Sequence, residues 1–305
     1  MPTRPGYWGK TLVYGPPGGG KSWYGVTAFW DPIRRVELAR GKWVTFGQED
    51  NPFLSVPESC RETASGLSLR LIAPNLDNTT WLVRFDKFTK TLLDQARKTP
   101  PLDVLVIDGL SEFDMLYETT FVSAPGDGGK YAKWNGLMDT FFGIMQRLDP
   151  NELGCHVVVT ARVMQRKRGT DIEETERKKD IDDEAVPFDY YPSVRGGFKD
   201  WLAHYFNNVF YLHTRSPKQT GGRPEHVLQV LTRGDYLTKL QAEHLWVPAN
   251  YPTELVNPNF YTVPHKLEAL LGLPHPLPLD THDKMEVALD GAIYKLAELE
   301  EGKLQ

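Results

Sequence analysis

Short apolar runs alternate with longer amphipathic stretches through most of the chain. The first run, Leu12, Val13 and Tyr14, leads into Gly15 and a loop of prolines and glycines. Beyond that loop the pattern predicts a helix that Asp31-Pro32 stops. "GKWVTFGQED", residues 41–50, reads as a second strand ending in acids, and "LSLRLIA", residues 67–73, as a third. Residues 79–98 place Leu82, Phe85, Phe88, Leu92 and Leu93 at helical spacing, and Pro100-Pro101 punctuate them. "LDVLVID", residues 102–108, is nearly continuous in apolar side chains, as a strand buried on both faces should be. A helix over 131–148 and a further buried strand, "CHVVVTA" over 155–161, complete this alternation.

Strands alternating with helices predict an α/β fold, a mostly parallel sheet covered on both faces. The texture then changes. Residues 162–190 are densely charged and lack aliphatic periodicity, which predicts a flexible charged loop. Order returns with a helical "FKDWLAHYF" at 198–206 and the strand-like runs "NVFYLHT" and "HVLQVLTR". Beyond Pro248 prolines recur, and "LGLPHPLPLD" reads as a linker to an amphipathic helix near 284–300. The expected organisation is one large domain over 1–250 and a small C-terminal appendage over 251–305 that supplies packing or subunit contact.

Composition narrows the class. The 305 residues carry a net charge of −5, so any nucleic-acid site must be a local patch rather than a property of the whole surface. No apolar run is long enough to span a membrane, and "MPTRPGYWGK" lacks a signal-peptide core. Two cysteines, Cys60 and Cys155, make neither a disulfide framework nor a metal site, which points to a reducing, cytoplasmic setting.

The chemistry concentrates in "YGPPGGGKSW". Gly15, Gly20, Lys21 and Ser22 satisfy G-x-x-x-x-G-K-[ST] between a strand and a helix. Gly15, Pro16, Pro17, Gly18, Gly19 and Gly20 form a loop whose N–H groups can converge on a phosphate with few Cβ atoms in the way. The helix that follows directs its positive end at the same anion. Lys21 can reach the β- and γ-phosphates, the Ser22 hydroxyl can ligate Mg²⁺, and Trp23 directly follows. Asp108, closing "VLVID", is the second candidate metal ligand, at the end of a parallel strand where open α/β sheets bind ligands. Hydrolysis also needs a residue that orients or deprotonates water. Many ATPases carry Glu directly after this Asp, but Gly109 stands there. Glu49 is the preferred candidate, with Asp50 and Glu112 as alternatives. Thr160, ending "HVVVT", can sense the γ-phosphate or the attacking water, or cap the following loop.

The order "YGPPGGGKS", "FGQED", "VLVIDGLSEF", "VVVTARV", then a charged loop and "PSVRGGFKDWLAHYFNNVFYL", resembles the phage-encoded RecA-like ATPases. These short nucleotide-binding proteins are grouped with phage single-strand annealing and recombination functions. The resemblance spans about residues 9–245. It implies a RecA-type P-loop core, ATP and Mg²⁺, self-association into rings or filaments, and single-stranded DNA as partner. It also implies that Glu49 acts from a strand next to the phosphate-loop strand. Members often carry a Lys and an Arg after the late strand that reach the neighbouring subunit's ATP. Here Lys239 fits the lysine, Gln241 stands at the arginine, and Arg233 is the substitute.

By the same resemblance, the loop after Thr160 faces DNA. Arg162, Arg166, Lys167, Arg168, Arg195 and Lys199 could neutralise phosphates, and Tyr190 and Tyr191 could stack bases. Eight acids interleaved between 171 and 184 favour instead a solvated insert. The expected function is therefore a DNA-stimulated ATPase of recombination, annealing or replication. The rivals are a ring helicase or loader and a nucleotide-switched assembly protein with no DNA site.

Overall fold

The computed structural model describes residues 9–31, 36–37, 41–46, 68–70, 80–98, 102, 104–122, 130–165, 190–194, 202–216, 221–222, 224–231, 236–240, 253–258 and 260. In chain order the elements are strand β1 (Lys10–Gly15), helix α1 (Lys21–Val26), β2 (Trp30–Asp31), β3 (Val36–Glu37), β4 (Gly41–Thr45) and β5 (Ser68–Arg70). Then come α2 (Thr80–Ala96), β6 (Val104–Asp108), α3 (Leu110–Tyr117), α4 (Lys130–Arg147), α5 (Pro150–Leu153) and β7 (His156–Gln165). The last are β8 (Tyr190–Pro192), β9 (Asn208–Arg215), β10 (Glu225–Gln229) and β11 (Glu254–Val256).

One sheet dominates, in the order β11-β10-β9-β1-β7-β6-β4-β5, with β8 attached to β7. β9, β1, β7, β6, β4 and β5 run parallel, whereas β10, β11 and β8 are antiparallel additions. The sheet is thus mixed: β9 and β10 are joined by a short connection, which only antiparallel neighbours can use. β11 carries the sheet past the expected domain boundary at 250, and Phe260 is buried beyond it. The linker and C-terminal helix expected further on lie outside the described residues.

Alternation along the central strands separates two apolar layers. Leu12, Tyr14, Leu105, Ile107, Val157 and Val159 pack with the faces of α2, α3 and α4, while Val13, Val104, Val106 and Val158 pack with Tyr24 and Val26 of α1. α2 turns Trp81, Phe85, Thr89, Leu92 and Ala96 inward, a repeat of three and four that keeps one stripe on the sheet. Arg147 ties α4 to α2 through Asp86 (2.8 Å) and the Thr89 hydroxyl (3.1 Å). Among the described residues, no helix is long and apolar enough to cross a membrane.

Four elements differ from expectation. α1 ends at Val26 rather than continuing to Asp31, because Thr27 turns its hydroxyl onto the Tyr24 carbonyl (2.6 Å) and Trp30–Asp31 pairs as a strand with Val36–Glu37. β7 runs to Gln165, so the start of the expected charged loop at 162 is strand, paired with β8. β4 pairs with β6 and β5, not with β1 as the implied role of Glu49 had it. Within 198–206 the described part is a 3-10 turn, Leu202–Tyr205.

The far edge of β1 holds a buried cation. Lys10 is 5% exposed, and its Nζ donates to the Met145 carbonyl (2.6 Å). Burial lowers its pKa from 10.5 to about 8, against a smaller upward pull from Asp149. The unfolded chain therefore binds more protons than the native one between pH 8 and 10.5, so this group makes stability rise with pH across that window. We expect wild type to gain on the order of 2 kcal/mol over Lys10→Met between those pH values, at about 1.4 kcal/mol per pH unit. Urea unfolding of both proteins at pH 7.5 and 10 checks this, and parallel pH dependences would show that Lys10 is not the source.

Candidate nucleotide site

The ends of β4 and β6 come level with the middle of β7, and β1 ends two residues further on. Thr45, Asp108 and Thr160 are register partners, and Gly15 pairs with Arg162. The Gly15–Ser22 loop rises from the end of β1 over a cavity of about 400 Å³. Its lining includes Pro17, Gly18, Gly20, Lys21, Ser22 and Trp23 from the loop and α1, with Asp108, Glu112, Thr160 and Arg162 opposite.

The loop's shape depends on glycine at specific points. Gly18 and Gly20 have φ of 72° and 93°, the left-handed region where a Cβ is penalised. At Gly15 the demand is space: a Cβ there would stand 1.9 Å from the Leu212 carbonyl oxygen of β9. α1 is only six residues long, so the cations and donors at this end of it are Lys21 and the loop N–H groups rather than an extended helix dipole. Lys21 Nζ donates to the carbonyls of Gly15 (3.0 Å) and Pro16 (2.8 Å), so the ammonium is folded over the loop it belongs to.

Under the loop, Asp108 gathers hydroxyls. Ser22 Oγ donates to one carboxylate oxygen (3.0 Å) and Thr160 Oγ1 donates to the other. The sequence expectations for Ser22, Asp108 and Thr160 thus converge on one cluster of oxygens. That donor set suits a hard cation, and Mg²⁺ in particular takes only one or two protein oxygens beside phosphate and water.

Glu112 and Arg162 show what the sequence alone left obscure. Arg162 forms an ion pair with Glu112 at 2.6 Å, and its N–H donates to the Ser111 hydroxyl (2.9 Å). Arg162, one of the residues expected at a DNA site, lines the cavity. A Cβ on Gly109 would stand 2.3 Å from Glu112 Oε2. The glycine directly after Asp108 therefore leaves room for a carboxylate that arrives one helical turn later. The signal was present in the sequence as the spacing "DGLSE", but only α3's start directs Glu112 back to the strand end.

Glu49 and Asp50 lie outside the described residues. The chain heads toward them from Phe46, whose N–H donates to the Asp108 carbonyl (3.2 Å) and whose ring meets Trp81, Phe85 and Phe113 edge-on at 5.0–5.8 Å. Arg166, Lys167, Arg168, Arg195, Lys199 and Arg233 also lie outside the described residues. Lys239 is engaged within its own chain: Nζ donates to the carbonyls of Ala203 (3.1 Å) and Phe206 (2.8 Å), and burial lowers its pKa. Tyr190 is half-buried, its ring against Tyr236 (5.2 Å) and its carbonyl accepting from Tyr14 Oη (3.0 Å). Tyr236 stacks in turn on Tyr211 at 4.3 Å. The Tyr190 ring, expected to stack bases, meets the rings of Tyr236 and Tyr211 at a tilt of about 30°. Tyr191 pairs through β8 with Met164.

No family model and no curated protein matches the chain.

Proposed function

We propose that the protein binds ATP with Mg²⁺ between the Gly15–Ser22 loop and Asp108, hydrolyses it, and couples the cycle to single-stranded DNA as phage RecA-like ATPases do. The observation that carries this is the closure of Ser22 and Thr160 on the Asp108 carboxylate beneath a glycine-rich loop whose lysine reaches over it. Two hydroxyls on one carboxylate have no need of a glycine loop. A metal-bound triphosphate needs both. Mg²⁺ would sit with Ser22 and Asp108, supplying charge neutralisation for the β- and γ-phosphates. Lys21 would exchange the Gly15 and Pro16 carbonyls for phosphate oxygens, and Thr160 would report on the γ-phosphate end.

Glu49 is the general base in this function. The β4 strand end is level with Asp108, so the chain emerges beside the metal position. Glu112 lies in the described chain, but the Arg162 guanidinium binds its Oε1 through two nitrogens, and an ion-paired carboxylate is a weaker base toward water than a free one. Arg162 is then a residue of the nucleotide cavity from which the charged segment departs, and this supports coupling between the cavity and that segment.

The DNA arm is tested by a salt series. Each phosphate neutralised on a single strand contributes about 0.7 to the slope of log K against log salt. Replacing Arg166, Lys167 and Arg168 with Ala is expected to weaken binding and flatten that slope by roughly 2, with ATP affinity unchanged. Fluorescence anisotropy with a labelled oligonucleotide, ATP and Mg²⁺ reads it. Equal slopes would make the segment a solvated insert. No binding by wild type would favour the assembly-protein alternative, which the internal engagement of Lys239 and the Gln241 substitution support.

A further inference from the structure

The glycine loop is braced by the β9–β10 pair, whose His226 and Thr214 are not among the residues that line the cavity. His226 on β10 is the register partner of Thr214 on β9. Its Nδ1 lies 3.1 Å from the Gly19 carbonyl and 3.4 Å from Thr214 Oγ1, and Thr214 Oγ1 lies 3.5 Å from the Gly18 carbonyl. A carbonyl only accepts, so Nδ1 carries the proton and donates to Gly19. The imidazole is packed directly against the loop: a Cβ on Gly20 would stand 2.8 Å from Nδ1. Its backbone is fixed as well. His226 N donates to Asn257 Oδ1 (3.2 Å) and Asn257 N donates to the His226 carbonyl (2.7 Å).

From this geometry we infer that His226 is a positioning residue for phosphate binding. The Gly19–Gly20 peptide is planar and trans, so the Gly19 carbonyl and the Gly20 N–H point in opposite directions. By taking the Gly19 carbonyl outward, His226 turns the Gly20 N–H to the side of the cavity that Gly20 lines. The peptide lies between two glycines, and Gly20 has a φ of 93°, so its own conformational preferences do little to fix that orientation. Without the imidazole, the peptide can rotate and offer a carbonyl to the phosphate instead of a donor. Thr214 at Gly18 acts on the preceding peptide, at a longer distance. Neither His226 nor Thr214 belongs to the G-x-x-x-x-G-K-[ST] motif. The motif describes which residues allow the loop, and the β9–β10 pair selects which way its amides face.

This presupposes the nucleotide binding proposed above, and the test separates the two. ADP and inorganic tripolyphosphate, each with Mg²⁺, are titrated calorimetrically into wild type, H226L, H226A and H226N, with the melting temperature of each ligand-free protein measured alongside. H226L fills the space without a donor, H226A empties it, and the Asn amide replaces Nδ1–H. The expected result is a loss of roughly five- to tenfold for both ligands in H226L and H226A, the range of one neutral hydrogen bond. H226N is expected to recover wild-type affinity. Because tripolyphosphate lacks base and ribose, its loss should equal that of ADP. Affinities of H226L within twofold of wild type would overturn the inference while leaving nucleotide binding standing. A loss in H226A alone would mean that packing, not the hydrogen bond, is what His226 supplies, and would overturn it too. Should H226L not fold, the H226A–H226N pair decides by the same recovery. If wild type binds neither ligand, nucleotide binding itself falls, and the role of His226 with it.

Discussion

Lys21→Ala is expected to lower affinity for Mg-ATP and ADP by roughly a hundredfold, the scale of losing charge-assisted hydrogen bonds to phosphate. Lys21 is the cation that the loop itself carries, and its ammonium stands over the loop, on the Gly15 and Pro16 carbonyls. Arg162 also lines the cavity, but Glu112 holds its guanidinium. Removing Lys21 also removes two hydrogen bonds from the ligand-free loop, so the melting temperature must be read in parallel. A small drop there with a large drop in affinity is the expected pattern. Unchanged affinity by calorimetry would detach the Gly15–Ser22 loop from nucleotide binding.

The second large effect concerns turnover. Glu49→Gln is expected to leave Mg-ATP bound and slow hydrolysis by roughly a hundredfold or more, since the amide keeps the shape of the carboxylate and loses its basicity. Glu112→Gln is the informative comparison. It leaves Arg162 without its ionic partner, so affinity for the triphosphate is expected to rise or hold while turnover falls less than in Glu49→Gln. The pair is distinguished by single-turnover rates at saturating ATP. A larger fall for Glu112→Gln would move the water-activating role to α3, and Glu49 would then be a loop acid after β4.

Much of the cavity's composition is legible in the sequence. The glycine loop, Lys21, Ser22 and Asp108 are readable as a cluster because motif and strand-end position are local properties, and the parallel register brings Thr160 of β7 to them. The helix α2 was readable because its apolar stripe repeats at three and four. Strand order was not. β4 joins β6 rather than β1, and such choices depend on how crossovers pack, which no local pattern encodes. Nor was β11 readable: three residues, Glu254–Val256, sit in a proline-punctuated stretch and are strand only because β10 offers an open edge. The place of Arg162 was not readable either, because charge density continues smoothly from 162 onward, whereas β7 persists to Gln165 and keeps Arg162 beside Gly15. Lys239 carried the expected spacing for a trans-acting lysine. Within the described chain its ammonium donates to the carbonyls of Ala203 and Phe206 around the 3-10 turn, which the spacing does not foretell.

Steady-state ATP hydrolysis with Mg²⁺, followed by phosphate release with and without single-stranded DNA, bears most directly on the proposed function. Binding by the loop, metal placement at Asp108 and coupling through the segment after β7 must all operate for the DNA arm to exceed the DNA-free arm. The expected result is a slow Mg²⁺-dependent rate that rises when single-stranded DNA is added and disappears in Lys21→Ala. No phosphate release in either arm, from wild-type protein that is folded and saturated with ATP, would contradict it.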